Sequence, residues 1–172
     1  MPDKKILAGA AVLLGAAFWF YIKPHYLSAA PPPPVTEEQI AEAARPTIFL
    51  GKAAGEKAGA DPGLVFNLRA PTSQPNYVKV VMALEFEDPL HKYIGAAGPE
   101  VEAKDVAFAG QLKPEMHKIL DAITSTFGSK TIDEVATPAG RDKLKADIVK
   151  AVNTELHKEK VSAVYFSVFI TQ

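Results

Sequence analysis

The chain contains no cysteine and carries almost no net charge. Its 172 residues include 19 Lys and Arg against 20 Asp and Glu, so the formal net charge is −1. The absence of cysteine excludes disulfide bonds, thiolate metal ligands and cysteine nucleophiles. The absence of a basic excess argues against nucleic acid as a partner, because nucleic acid attracts clustered lysine and arginine.

Sequence motifs of enzyme active sites are also missing. The four histidines show no metal-ligand spacing and stand beside no nucleophile motif; they are His25, His91, His117 and His157. The stretch "GSKT" at Gly128–Thr131 follows a predicted helix and lacks the earlier glycine of a phosphate-binding loop. Asp133 and Glu134 stand at a predicted helix start, where the helix dipole favours carboxylates. We therefore predict no catalytic residue, no metal site and no cofactor.

One long apolar run lies near the N-terminus. Ile6–Ile22 contains 17 residues without a charge, which is about 25 Å of helix and the short end of the range for a membrane span. Two lysines precede the run, and the aromatic cluster Phe18–Tyr21 lies at its far end. The pattern predicts a transmembrane helix at 6–22, with residues 1–5 in the cytoplasm and the rest of the chain outside it. A cleaved signal peptide is the alternative, although the four prolines that follow are unfavourable for cleavage.

Residues 23–62 have the composition of a linker. Pro31–Pro34 favour an extended polyproline II conformation, and Glu37–Ala44 is compatible with a short helix. The apolar triplet Ile48, Phe49 and Leu50 is unusual in a solvated linker. We expect this triplet to dock on the folded domain, on a neighbouring subunit or on another partner.

The folded domain is predicted at 63–172. A short strand is expected in "GLVFNL", and Tyr77–Asp88 alternates apolar and other side chains as a strand with one face on a core does. Helices are expected from about Pro99 and from Pro114, then after the capping box "TIDE" and after Thr137. An apolar stripe at helical spacing predicts the buried face of the last helix: Leu144, Ile148, Val152 and Leu156.

The chain ends in a predicted strand, Val161–Thr171. Strict alternation assigns one set of side chains to one face, namely Val164, Phe166, Val168 and Ile170. It assigns a second set to the other face, namely Val161, Ala163, Tyr165 and Phe169. Both sets are largely apolar, so we expect the strand to be buried on both faces. Strands, then helices, then a final strand predict an α+β fold: an antiparallel or mixed sheet with packed helices.

The order of these segments resembles the FliL family, the flagellar basal body-associated proteins of bacteria. The resemblance is carried by the N-terminal apolar run, "VFNL", "YVKVVMALEFED", "PAGRDKLKADIVKAVN" and the terminal "VYFSVFITQ". It implies a single-pass protein of the bacterial inner membrane whose periplasmic domain is similar to the stomatin-type (SPFH) fold. It also implies a non-enzymatic role in motility, in which a homo-oligomeric ring surrounds the stator units of the motor at the basal body.

On this resemblance, the expected partners are flagellar stator proteins, the basal body, further copies of the chain and the membrane. The residues expected to contact a partner are Ile48, Phe49 and Leu50 together with Phe18 and Trp19 of the membrane helix. Two other functions stay open at this point. One is an anchored periplasmic binding or assembly module unrelated to the flagellum, and the other is an anchored hydrolase, for which no paired carboxylates or Ser-His pair are evident.

Overall fold

The computed structural model of the protein describes residues 34–52, 63–70 and 76–172. Contacts separate Met1–Thr36 from Glu37–Gln172, and the architecture below is that of the second unit. The predicted membrane span at 6–22 lies outside the described residues. Among the helices that the structure describes, none combines the length and the apolar character that a membrane span needs.

The described part of the chain forms five α-helices, a 3₁₀ turn and four strands. In chain order they are α1 (Glu37–Glu42), β1 (Thr47–Leu50), β2 (Leu64–Leu68), β3 (Asn76–Phe86), α2 (Pro99–Leu112), the 3₁₀ turn (Lys113–Glu115), α3 (Met116–Gly128), α4 (Ile132–Ala136), α5 (Pro138–Glu155) and β4 (Val161–Thr171). This succession confirms the predicted α+β class, and every pairing in the sheet is antiparallel.

Strand β3 is the centre of the sheet. Strands β1 and β2 pair with successive segments along one edge of β3, and β4 pairs along the other edge over nearly the whole length of β3. The junction between β1 and β2 is made by Gly51 and Gly63, where the Gly63 N–H donates to the Gly51 carbonyl at 2.9 Å. Gly51 has φ +78°, and a Cβ there would lie 2.9 Å from the Val80 carbonyl oxygen, so glycine is required.

The hydrophobic core lies between the inner face of the sheet and helices α3 and α5. The predicted inner face of β3 is fully buried; its residues are Val78, Val80, Met82, Leu84 and Phe86. The predicted stripe of α5 is buried against it and consists of Leu144, Ile148, Val152 and Leu156. The ring of Phe127 from α3 stacks on Phe66 of β2 with centroids 4.5 Å apart. Sequence periodicity thus identifies this core correctly.

Both predicted helix starts after α3 carry their caps. Thr131 precedes α4 in a capping box: its hydroxyl accepts from the Glu134 N–H, and Glu134 Oε2 accepts from the Thr131 N–H at 2.7 Å. The Thr137 hydroxyl accepts from the Gly140 N–H at 3.0 Å and begins α5. These side chains satisfy N–H groups that have no partner inside the helix.

The folded unit extends upstream of residue 63. Strand β1 lies inside the range predicted as linker, yet it is paired with β3 residues 82–85. The Thr47 N–H also donates to Asp105 Oδ1 of α2 at 3.0 Å. A four-residue strand flanked by glycine-rich sequence gives too short a pattern to distinguish from a linker, because its partner is distant in the chain.

The expected burial of β4 on two faces is wrong. Two bulges interrupt its ladder with β3, between Val81 and Met82 and between Glu85 and Phe86. A bulge adds one residue to one strand and shifts the side-chain alternation. Phe169 therefore shares the inner face with Phe166, and their rings lie 5.1 Å apart. Val168 and Ile170 pair with Val81 and Lys79, and so lie on the outer face, where Tyr165 and Ile170 are exposed.

Candidate binding surface

The outer face of the sheet is apolar and only partly covered. We define the outer face by the side chains that point away from α3 and α5: Thr47, Phe49, Val65, Asn67, Tyr77, Lys79, Val81, Ala83, Glu85, Ala163, Tyr165, Val168 and Ile170. Five of them are large, exposed apolar or aromatic residues, with exposed fractions of 51% for Phe49, 64% for Val65, 38% for Tyr77, 52% for Tyr165 and 48% for Ile170. Exposed apolar side chains gathered in one place mark an interaction surface.

Short side chains lie in the middle of the outer face. Ala83 lies between Phe49 on β1 and Tyr165 on β4, since both residues pair with it. Ala83 and Val81 are only 7% and 1% exposed, whereas the two flanking aromatic side chains are about half exposed. The exposed apolar area of the outer face is therefore contributed by the aromatic side chains of the neighbouring strands.

Charged side chains lie at the two ends of the outer face. Lys79 lies between Val65 and Ile170 at one end, and the Lys52 ammonium lies 4.8 Å from the centroid of the Phe49 ring. Glu85 lies at the other end and pairs with Arg45 at 3.8 Å. Neither Lys52 nor Lys79 forms an ion pair with any residue that the structure describes.

The five residues predicted to contact a partner differ in their positions: two are buried, one is exposed and two lie outside the described residues. Ile48 and Leu50 are buried in the core, because they alternate with Phe49 along β1. Phe49 alone of the triplet points outward. Phe18 and Trp19 lie outside the described residues. The triplet therefore docks on its own sheet through two side chains and leaves the third exposed.

Sequence reasoning missed most of the outer face. Val65, Tyr165 and Ile170 come from strands that are distant in the chain, and only the pairing with β3 brings them together. One signal was available in the sequence: Val81 and Ala83 are small apolar residues on the face of β3 opposite the predicted core face. When both faces of a central strand are apolar, the outer side of the sheet is expected to be covered at least in part.

A second concave region lies between α2 and the loops beside it. Its volume is about 360 Å³, and it is lined by apolar side chains and by charges of both signs, among them Leu90, Tyr93, Phe108, Lys104, Asp88 and Glu159. Tyr93 is held by the donation of its hydroxyl to Asp105 Oδ1 at 3.0 Å. Burial, reinforced by that hydrogen bond, raises the pKa of Tyr93 above its ordinary value, so the hydroxyl stays a neutral donor. Tyr93 thereby supports the attachment of α2 to β1.

The described residues contain no group of three or more His, Asp or Glu side chains that could hold a metal ion. The carboxylates that the sequence analysis assigned to a helix start are found there. Hydrogen bonds from Thr131 lower the pKa of Glu134, and Arg69, 3.7 Å away, acts in the same direction. This geometry serves helix capping.

Comparison with known proteins agrees with this picture. The family model described as flagellar basal body-associated protein FliL matches residues 59–172. The chain belongs to the FliL family. The match covers β2 to β4 and therefore nearly all of the sheet and the helices packed on it. The family description associates these proteins with the flagellar basal body.

A curated relative supports the assignment. The flagellar protein FliL of Aquifex aeolicus (strain VF5) is 44% identical over 54 residues, which is 31% of this chain and 34% of the relative. The alignment thus spans about a third of that protein's length. The resemblance to FliL proteins drawn from the sequence is confirmed by these comparisons.

Proposed function

We propose that this protein is a non-enzymatic accessory of the flagellar motor that associates with stator units and forms a ring-shaped scaffold around them. Family membership supports the flagellar setting. The observation that carries the proposal is the outer face, on which aromatic and aliphatic side chains from all four strands stand half exposed. A surface of this kind is suited to binding another protein.

The proposed setting is the bacterial inner membrane. A single helix at 6–22 anchors the chain with its N-terminus in the cytoplasm, and the unit from α1 to β4 lies in the periplasm. The domain is of the stomatin (SPFH) type, for which an antiparallel sheet with packed helices is suitable. In this arrangement Phe18 and Trp19 contact the stator within the membrane, and Phe49 contacts a partner in the periplasm.

A crosslinked pull-down of the full-length protein from native membranes tests this function. The tag belongs at the N-terminus, because the last residue is part of the sheet: Gln172 exchanges hydrogen bonds of 2.8 and 2.9 Å with Tyr77. Recovery of stator and basal-body proteins, identified by mass spectrometry, is the expected result. Recovery of other envelope proteins without them would overturn the proposal in favour of an assembly module unrelated to the flagellum.

A further inference from the structure

The acidic helix α1 lies near one end of the outer face, and two lysines lie at the other end. We propose that copies of this chain pack head to tail, with helix α1 of one copy against the lysine end of the outer face of the next. The inference rests on the ring-forming scaffold proposed above and assigns the surfaces through which such a ring closes.

The described residues leave large apolar side chains of the outer face exposed. Helices α3 and α5 bury the inner face, whereas Phe49, Tyr165 and Ile170 remain about half exposed. A solvated face of an antiparallel sheet ordinarily carries polar side chains. Burying aromatic residues of this size yields the largest part of the binding energy in protein interfaces.

The lysine end attracts an acidic segment. Lys79 is flanked by the apolar side chains of Val65 and Ile170, and Lys52 lies over the Phe49 ring. Both cations therefore stand within an apolar surface and have no carboxylate partner among the described residues. An apolar surface with positive charge fits an acidic helix.

Helix α1 has that composition. Its sequence is "EEQIAE", with Glu37, Glu38 and Glu42 and no basic residue, and none of its side chains is buried in its own domain. None of these three glutamates forms an ion pair with a described residue. A six-residue helix is marginal without packing against another element. Within its own domain α1 lies beside the segment around Ile94, and contact with a neighbouring copy would add packing and positive charge.

Helix α1 and the lysine end lie at opposite ends of one surface. Ala41 of α1 lines a cavity together with Glu85, Ala163 and Tyr165, which sets α1 beside the Glu85 end of the outer face. Lys79 is six residues from Glu85 along β3, about 20 Å at the rise of a strand. Each copy thus presents an acidic element at one end and a basic site at the other. A contact between unlike ends is heterologous, and it forms a ring when the rotation closes.

The absence of cysteine allows a direct test in the full-length protein. Glu38→Cys and Val65→Cys are made on separate chains with different tags, expressed together, and treated in membranes with a short bismaleimide. The expected result is a crosslinked dimer that carries both tags, while neither variant crosslinks when expressed alone. The double variant should give a ladder of dimers, trimers and larger species.

In a matched control, the second cysteine is moved from Val65 on the outer face to a helix on the other side of the sheet. Lys143 is exposed on α5, so Lys143→Cys paired with Glu38→Cys should give no mixed dimer.

Charge reversal gives a second readout. Lys79→Glu should lower the crosslinked fraction about two- to fivefold, the range expected for exposed ion pairs. Combining it with Glu42→Lys on the chain that carries Glu38→Cys should restore crosslinking.

The negative outcomes are distinguishable. If an amine-reactive crosslinker shows oligomers but the Glu38–Val65 pair gives none, the ring survives and this interface is overturned. If Val65→Cys crosslinks with itself, or the double variant stops at a dimer, the contact is two-fold and the head-to-tail inference is overturned. If every reagent yields monomers only, the ring proposed as the function fails together with its interface.

Discussion

Phe127 links α3 to the sheet. Its side chain is fully buried, and its ring is stacked on Phe66 with an angle of 4° between the planes. We expect Phe127→Ala to lower the free energy of unfolding by about 3–5 kcal/mol, because it removes a core ring and leaves a cavity. Urea unfolding of the full-length chain in detergent measures the loss. Phe49→Ala makes the same chemical change on the outer face and should cost much less; equal losses would contradict the described packing.

Glu134 should make the stability of the protein depend on pH. The Thr131 N–H holds the pKa of Glu134 below its ordinary value near 4.5, so the folded state favours the carboxylate. Its contribution is complete above about pH 4.5 and disappears as the pH falls through the lower folded value. Glu134→Gln should therefore reduce the thermal midpoint at pH 7 and change it little near pH 3.

The neighbouring carboxylate is the control for that prediction. Asp133 lies in the same first turn of α4 and is exposed, but it forms no hydrogen bond or ion pair with a described residue. Asp133→Asn should produce a smaller difference between the two pH values. A loss of the same size for both variants would mean that charge at the helix start, rather than the capping box, determines the pH dependence.

At the scale of elements, the sequence predicts what depends on local patterns. Strand β4 occupies the predicted residues Val161–Thr171, and α5 begins at the predicted cap, because alternation and capping are properties of neighbouring residues. The bulges of β4 and the strand β1 were missed for a different reason. A bulge and a four-residue strand are defined by the register with β3, and that register depends on a partner up to about 90 residues away.

The junction between α5 and β4 depends on one side chain. Asn153 Nδ2 donates to the Val161 carbonyl at 2.9 Å, and Asn153 Oδ1 accepts from the Val161 N–H at 2.7 Å. Asn153→Ala leaves both backbone groups without these partners and should cost about 1–3 kcal/mol. Hydrogen exchange should rise first at the start of β4. Asn67→Ala, at an exposed position of β2, is the control and should leave this exchange unchanged.

At the scale of the whole molecule, the candidate site is a product of the fold. The sequence identifies Phe49 as part of an unusual apolar triplet, but it does not show that Ile48 and Leu50 turn into the core. Tyr165 and Ile170 lie more than 110 residues from Phe49 in the chain, and pairing with one central strand brings the three onto a common face. Local patterns therefore predict the core of this domain far better than its surface.

The outer face can be tested by one charge placed at its centre. Phe49 is half exposed, so Phe49→Glu should leave the thermal midpoint nearly unchanged while reducing both the crosslinked oligomer and the recovery of stator proteins. A glutamate there loses the aromatic contact surface and cannot be buried beneath a partner without a cost. Val106→Glu makes a comparable change on α2, where the side chain is 74% exposed, and should preserve assembly and swimming. A Phe49→Glu chain that still assembles, recovers stators and supports full swimming would exclude the outer face as the contact surface, because a charge at its centre would then lie in solvent.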